Sequence, residues 1–174
     1  RFDAPRRAEI TVPAEAVVLD EEKQTCVSVA WLLAPRVGPG VDGFEEFALA
    51  VASDLMLSGA DAAFHAPLLA SGLGAGFAPG PGYGGSRRET SFAVGLRNVA
   101  PADVPEVESR IHATFAKIAD EGFPAERVAA VTHQVELGAR EVSTSFGLGV
   151  GLSAVGTWIH GGDPLRPLRA PELA

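Results

Sequence analysis

Apolar and polar residues alternate over residues 25–33, which predicts a β-strand with one face in the core. A period of two with β-branched and aromatic residues is typical of a half-buried strand. A second alternating run, residues 89–96, predicts an antiparallel neighbour, and residues 76–78 predict a short third strand. Residues 79–85 are rich in glycine and are interpreted as a turn. We also expect residues 8–12 to form a short edge strand.

Apolar residues recur at intervals of three and four in the segments between and after these strands, which predicts α-helices. The first helix covers residues 43–58, with Asp42 and Glu45 near its start, where the helix dipole favours negative charge. A second, short helix is predicted over residues 62–71, and three glycines follow it closely.

Three further helices are predicted in the C-terminal half. Asp103 and Glu106 have the spacing of a capping box at the start of a helix that ends near residue 121. Pro124 suits the first position of the next helix. The last helix covers residues 146–158 and contains several glycines, which predict close helix contact.

The order of these elements predicts an α+β fold, in which an antiparallel sheet carries helices layered on one face. The chain has 174 residues, which suits a single domain. We assign residues 1–22 to a lead-in, 23–167 to the core and 168–174 to a tail. Because the first residue is Arg1 rather than Met, we expect a fragment of a longer, multidomain chain.

Composition excludes several classes of function. The net charge is −8, from 14 basic and 22 acidic residues, and nucleic-acid binding needs the opposite balance. No apolar run is long enough to cross a bilayer, so no membrane partner is expected. The single cysteine, Cys26, cannot form an internal disulfide and is predicted to be a small core residue.

Two short motifs resemble known sites but lack their structural context. Residues 80–85 satisfy G-x-G-x-x-G, but a strand follows them where a dinucleotide site needs a helix N-terminus, so they are interpreted as a turn. Ser153 lies between glycines, inside a predicted helix rather than on a strand-to-helix turn, and is predicted to be a packing residue.

Titratable side chains are too scattered to predict a metal or catalytic site. His133 and Glu136 share a helix face, but two ligands are too few for zinc, so a polar surface is the simpler interpretation. His65 is predicted to be half-buried and His112 exposed. Asp54, the one acid in the apolar half of the first helix, is interpreted as a residue turned to the polar edge of the helix or capping a neighbouring loop, rather than as a buried functional acid.

Four long strings resemble the second domain of presequence proteases, in the pitrilysin/insulinase family of zinc metalloendopeptidases. They are EKQTCVSVAWLLAP, FALAVASDLMLSGADAAFHAPLLASGLG, YGGSRRETSFAVGL and STSFGLGVGLSAVGTWIHGGDP. The resemblance runs from residue 22 to residue 167. It implies an enzyme of four similar α+β domains that enclose a chamber and degrade unfolded peptides. The first domain would carry zinc on a His-x-x-Glu-His helix, and the second would lack that motif.

The resemblance also implies which positions correspond to the zinc helix. When the turn at Leu57 to Gly59 is laid on the turn after that helix, the metal ligands fall at Ala50 and Asp54 and the general base at Ser53. Alanine cannot bind metal, and serine cannot take a proton from zinc-bound water. We therefore expect no catalytic, cofactor-binding or metal-binding residue here, with zinc in the catalytic domain of the parent chain.

The resulting hypothesis is a non-catalytic structural domain that packs on the catalytic and other domains of the same chain and forms part of the chamber wall. Unfolded peptide would be a partner through the parent enzyme. An alternative is a peptide-binding or subunit-interaction module that uses an exposed edge of residues 89–96 or 25–33. A third is an independent enzyme that uses His133, Glu136 and Asp54. The Ala-, Gly- and Pro-rich composition suggests a bacterial source and a cytoplasmic location.

Overall fold

A computed structural model describes residues 3–13, 20, 22–35, 43–142 and 144–165, and it confirms the α+β prediction. Asp42, the tail and part of the lead-in lie outside the described residues. Short 3-10 turns lie at Leu69–Ser71 and Pro101–Asp103. The strands and helices in chain order are β1 (Thr25–Pro35), α1 (Gly43–Leu57), β2 (Gly76–Phe77), β3 (Gly82–Gly84), β4 (Glu89–Val99), α2 (Val104–Glu121), α3 (Ala125–Arg140) and α4 (Phe146–Trp158).

The antiparallel sheet is built around β4, which pairs with β1 on one side and with β2 and β3 on the other. The register aligns Val27 with Leu96 and Trp31 with Phe92, so the apolar faces of β1 and β4 coincide. Gly95 allows the two strands to approach, because a Cβ atom there would clash with the carbonyl oxygen of Val27. Because β1 pairs with β4 alone within the described residues, it forms an edge of the sheet.

The main core lies between this sheet and α2. Phe92, Val94 and Leu96 of β4 are buried against Val107 and Ile111 of α2. Phe115 joins the aromatic side chains, with ring centroids 4.9 Å from Trp31 and 5.1 Å from Phe64. A smaller cluster of Val51, Leu55 and Val131 joins α1 to α3. The predicted helical and strand periods thus place their apolar faces in two adjoining clusters.

The prediction of a helix over residues 62–71 is wrong. These residues form turns that end in the 3-10 turn Leu69–Ser71. The segment folds back on α1, where the amide of Phe64 donates to the carbonyl of Met56 over 2.9 Å. Phe64 and Leu68 are fully buried, and Pro67 between them lacks the amide hydrogen that a helix needs. Tertiary burial therefore determines this segment more than its helical periodicity does.

Two further predictions, one of a turn and one of a strand, are also wrong. Residues 82–84, predicted to be part of a turn, form β3. Pairing with β4 holds their backbone extended, although two of the three residues are glycines. Residues 8–12 form no strand, and Ile10 is 81% exposed. Arg7 beside them pairs with Glu108 of α2 over 3.0 Å, so the segment is held near a helix rather than a sheet edge.

The capping prediction at α2 is wrong, although the helix begins next to the predicted residue. Asp103 makes no side-chain cap hydrogen bond, and its backbone is helical, with φ −90° and ψ −6°. A capping residue normally has an extended backbone. Glu106 pairs instead with Arg110 over 2.7 Å. The next helix begins at Ala125, directly after Pro124, and α4 has the predicted bounds.

Candidate functional site

Ala50, Ser53 and Asp54, the positions that the resemblance aligns with a zinc helix, lie in the second half of α1. Ala50 is half-buried and offers only a methyl group. The Ser53 hydroxyl accepts a hydrogen bond from the backbone amide of Tyr83 over 3.1 Å. The Asp54 carboxylate accepts one from the Ser58 hydroxyl over 2.9 Å. Both polar side chains therefore bind groups of the domain itself.

The contact of Ser53 joins α1 to β3. Gly82, directly before Tyr83, is buried and has φ +91°, a conformation that favours glycine. A Cβ atom at Gly82 would clash with the Ser53 hydroxyl oxygen. The backbone of β3 thus occupies the space beside Ser53, the position that the resemblance aligns with the general base.

The contact of Asp54 belongs to the turn that ends α1. The Ser58 amide also donates to the Asp54 carbonyl over 2.9 Å. Arg127 of α3 binds the same turn, donating to the Ser58 carbonyl over 2.8 Å and pairing with the Asp61 carboxylate over 3.0 Å. The Asp54 carboxylate therefore binds the turn that ends α1, and Arg127 holds that turn against α3.

The described residues include no group of three or more His, Cys, Asp or Glu side chains that could hold a metal ion. His133 and Glu136 lie 3.8 Å apart on α3, and the Glu136 carboxylate also pairs with Arg140 over 2.5 Å. His133 is exposed, which suits a polar surface. Ala50, Ser53 and Asp54 do not fit a zinc ion either, because the Asp54 carboxylate alone cannot supply the three protein ligands that a catalytic ion requires.

The other histidine predictions agree with the structure, while two further residues differ from their prediction. His65 is half-buried, and His112 is exposed with its ring edge near Trp31. Ser153 is exposed rather than packed. Cys26 is exposed, because it lies on the face of β1 opposite the core.

The surroundings of Cys26 disfavour the thiolate form of its side chain. Although the residue is exposed, neighbouring atoms partly desolvate the thiol and raise its pKa above the ordinary value of 9.0, and the positive charge of Arg97 opposes this only in part. A reactive cysteine needs the reverse balance, with a lowered pKa and a populated thiolate.

The glycine-rich string at residues 80–85 contributes no phosphate site of the dinucleotide type. Gly80 and Gly82 have positive φ angles, as in a turn, and the chain continues into β3 and β4 rather than into a helix. Within the described residues, no helix is both long enough and apolar enough to span a membrane.

The family of the chain follows from a comparison of its sequence with known families. The family model described as "Peptidase M16 inactive domain" matches residues 3–135. The chain belongs to this M16 family. This match confirms the resemblance to pitrilysin-type metallopeptidases, and it makes the chain a non-catalytic domain of a peptidase.

Three similar proteins illustrate how the M16 domain relates to longer enzymes. Mitochondrial presequence protease of Mus musculus is 36% identical over 168 residues, which are 97% of this chain and 16% of the relative. The Aspergillus fumigatus protein of the same name is 34% identical over 165 residues, 94% and 15% of the two chains. That of Schizosaccharomyces pombe is 35% identical over 121 residues, 70% and 12%. The matched segments thus make up between about one eighth and one sixth of the length of these relatives.

The prediction of a bacterial, cytoplasmic parent is wrong. The relatives named above are mitochondrial proteins of eukaryotes. A composition rich in Ala, Gly and Pro reflects nucleotide usage more than cellular location, which explains why it misled the prediction.

Proposed function

We propose that this M16 domain is a structural unit of a larger zinc metalloendopeptidase, in which it packs on the catalytic domain and forms part of the wall of a chamber. Unfolded peptides would be the substrates of that enzyme. By extension from the relatives, the enzyme would be mitochondrial and would act on presequences. Zinc would be bound in the catalytic domain, outside residues 1–174.

One observation supports this proposal more than any other. The position that corresponds to the general base carries Ser53, whose hydroxyl is engaged by the Tyr83 amide. A general base must be within reach of the proton that it removes, either directly or through one water molecule. Ser53 instead holds β3 against α1, so this residue has a structural role here.

The proposal is tested by substituting Ser53 and Asp54 of α1 in the full-length chain. We expect Ser53→Ala and Asp54→Asn to leave the bound zinc content and the chelator-sensitive cleavage of an unstructured peptide unchanged, once folded protein is matched by circular dichroism. Loss of zinc from either folded variant would contradict the proposal.

A second experiment uses the 174-residue chain alone. After its fold has been checked by circular dichroism, the bound metal is measured by mass spectrometry and peptide cleavage is followed by chromatography. We expect no stoichiometric zinc and no cleavage. Stoichiometric zinc together with cleavage that a chelator abolishes would show that this domain is itself an enzyme.

The edge of the sheet favours a second candidate function, the binding of an extended peptide. The alternative that residues 89–96 form an exposed edge is wrong, because β4 is paired on both sides. Within the described residues β1 is paired on one side only, so its second edge is available for strand addition. Calorimetric titration of an unstructured peptide tests this function, with a peptide N-methylated at alternate amides as control. Equal binding of both peptides, or of neither, would exclude strand addition.

A further inference from the structure

Helix α4 presents an apolar stripe on the side that faces away from the domain. Leu148, Leu152, Val155 and Ile159 follow one another at intervals of four, three and four, which places them on one side of the helix and its C-cap. They are 66%, 64%, 51% and 67% exposed. Thr157, the one buried residue of α4, lies on the opposite side. We refer to these four residues as the α4 stripe.

The composition of α4 is that of a covered helix. Its sequence, FGLGVGLSAVGTW, contains no charged residue. A helix that is apolar on all sides is typically buried, whereas a helix at a finished surface carries polar residues on its outer side. Neither hydrophobic cluster described above includes a residue of α4. The described residues therefore leave the α4 stripe uncovered.

The flanks of the stripe leave space for a close partner. A Cβ atom added at Gly147, Gly149, Gly151 or Gly156 would meet no atom within 4 Å. These glycines lie to either side of the stripe on the helical wheel, so they form shallow grooves along it. Ridges of side chains on a second apolar segment fit into such grooves.

The chemistry of α4 and of the whole chain decides between possible occupants. A helix that lies on a membrane carries Lys and Arg on its polar side, and α4 has neither. A second copy would bring another chain of net charge −8, and like charge opposes association. Another part of the same polypeptide meets neither objection, and its tether gives it a high effective concentration.

The similar proteins are long enough to contain such an occupant. The relative from Mus musculus matches 97% of this chain, and this match is only 16% of the length of the relative. Most of an enzyme of that size therefore lies outside the 174 residues. We infer that the α4 stripe is covered, in the full-length protein, by an apolar segment of the same polypeptide outside residues 1–174. The inference rests on the proposed function, because it requires the larger enzyme.

Photocrosslinking in the full-length chain tests this inference. Benzoylphenylalanine is incorporated at position 152, in the stripe, or at position 153 as the control, since Ser153 is exposed on another side of the same helix. We expect irradiation at position 152 to give a product of monomer mass, whose crosslinked peptides lie outside residues 1–174. Its yield should exceed that at position 153 several-fold.

Three results would overturn the inference. They are a product of dimer mass that maps to residues 146–159 of a second copy, a crosslink to phosphatidylcholine and phosphatidylglycerol in added vesicles, and a yield at position 152 no higher than at position 153. If the variant at position 152 does not fold, position 155 gives the same test. Zinc content and peptide cleavage, measured on the same samples, report separately on the proposed function.

Discussion

The Ser53→Ala substitution distinguishes a structural serine from a catalytic one. It removes the acceptor for the Tyr83 amide, 3.1 Å from the Ser53 hydroxyl oxygen, in a partly buried part of the interface between α1 and β3. An average hydrogen bond contributes about 1 kcal/mol, and a buried donor left unpaired costs about 1–3 kcal/mol. Because this site is only partly buried, we expect the free energy of unfolding to fall by about 1–2 kcal/mol.

The measurement is urea unfolding of the 174-residue chain, followed by circular dichroism. For a domain of this length, the same loss lowers the melting temperature by roughly 2–4 °C per kcal/mol. Ser28→Ala, on the exposed face of β1, is the matched control and should change stability by less than about 0.5 kcal/mol. In the full-length enzyme, peptide cleavage per folded molecule should be unchanged. A Ser53→Ala variant of normal stability but reduced cleavage would refute the structural interpretation.

Three further predictions test the fold and the environment of the thiol. Phe64→Ala should lower the free energy of unfolding in urea by about 3–5 kcal/mol, since Phe64 is fully buried. Phe44→Ala, at a position that is 63% exposed, should lower it far less. Equal losses in the two variants would mean that residues 62–71 do not pack on the core. Gly95→Ala should lower the free energy of unfolding by about 1–3 kcal/mol or prevent folding, because its Cβ atom would clash with the backbone of β1. Near-normal stability of this variant would contradict the strand pairing. The raised pKa of Cys26 adds stability that is present below the ordinary thiol pKa of 9.0 and is lost as the pH rises through the folded value. Unfolding measured from pH 8 to 11 should show this loss, Cys26→Ser should remove it, and an identical pH dependence in both proteins would contradict it.

Periodicity predicted most of the fold because each long element has one face in the core. The alternation over residues 25–33 corresponds to β1, whose odd-numbered positions from Val27 to Leu33 pack on the core and whose even-numbered ones face outward. α4 was predicted with its observed bounds, because helix formation there follows from local sequence. The exposure of its apolar side was not predictable, since periodicity does not show what covers a face.

The missed elements depend on contacts between residues distant in sequence. β3 contains two glycines and becomes a strand only because Tyr83 pairs with Phe92. The same applies to the candidate site. The sequence alone shows that Ala50, Ser53 and Asp54 lack the chemistry of a zinc site. It does not show that Ser53 binds a backbone amide thirty residues further along the chain.

The contact between Ser53 and β3 has a consequence for protein engineering. Installing histidines at positions 50 and 54 and a glutamate at position 53 would recreate the His-x-x-Glu-His string on α1. It would not recreate a zinc enzyme, because the glutamate would extend into the space that the backbone at Gly82 already fills. A metal centre on α1 would require the loop before β3 to be rebuilt as well, so the missing ligands and the packing of β3 are two separate obstacles.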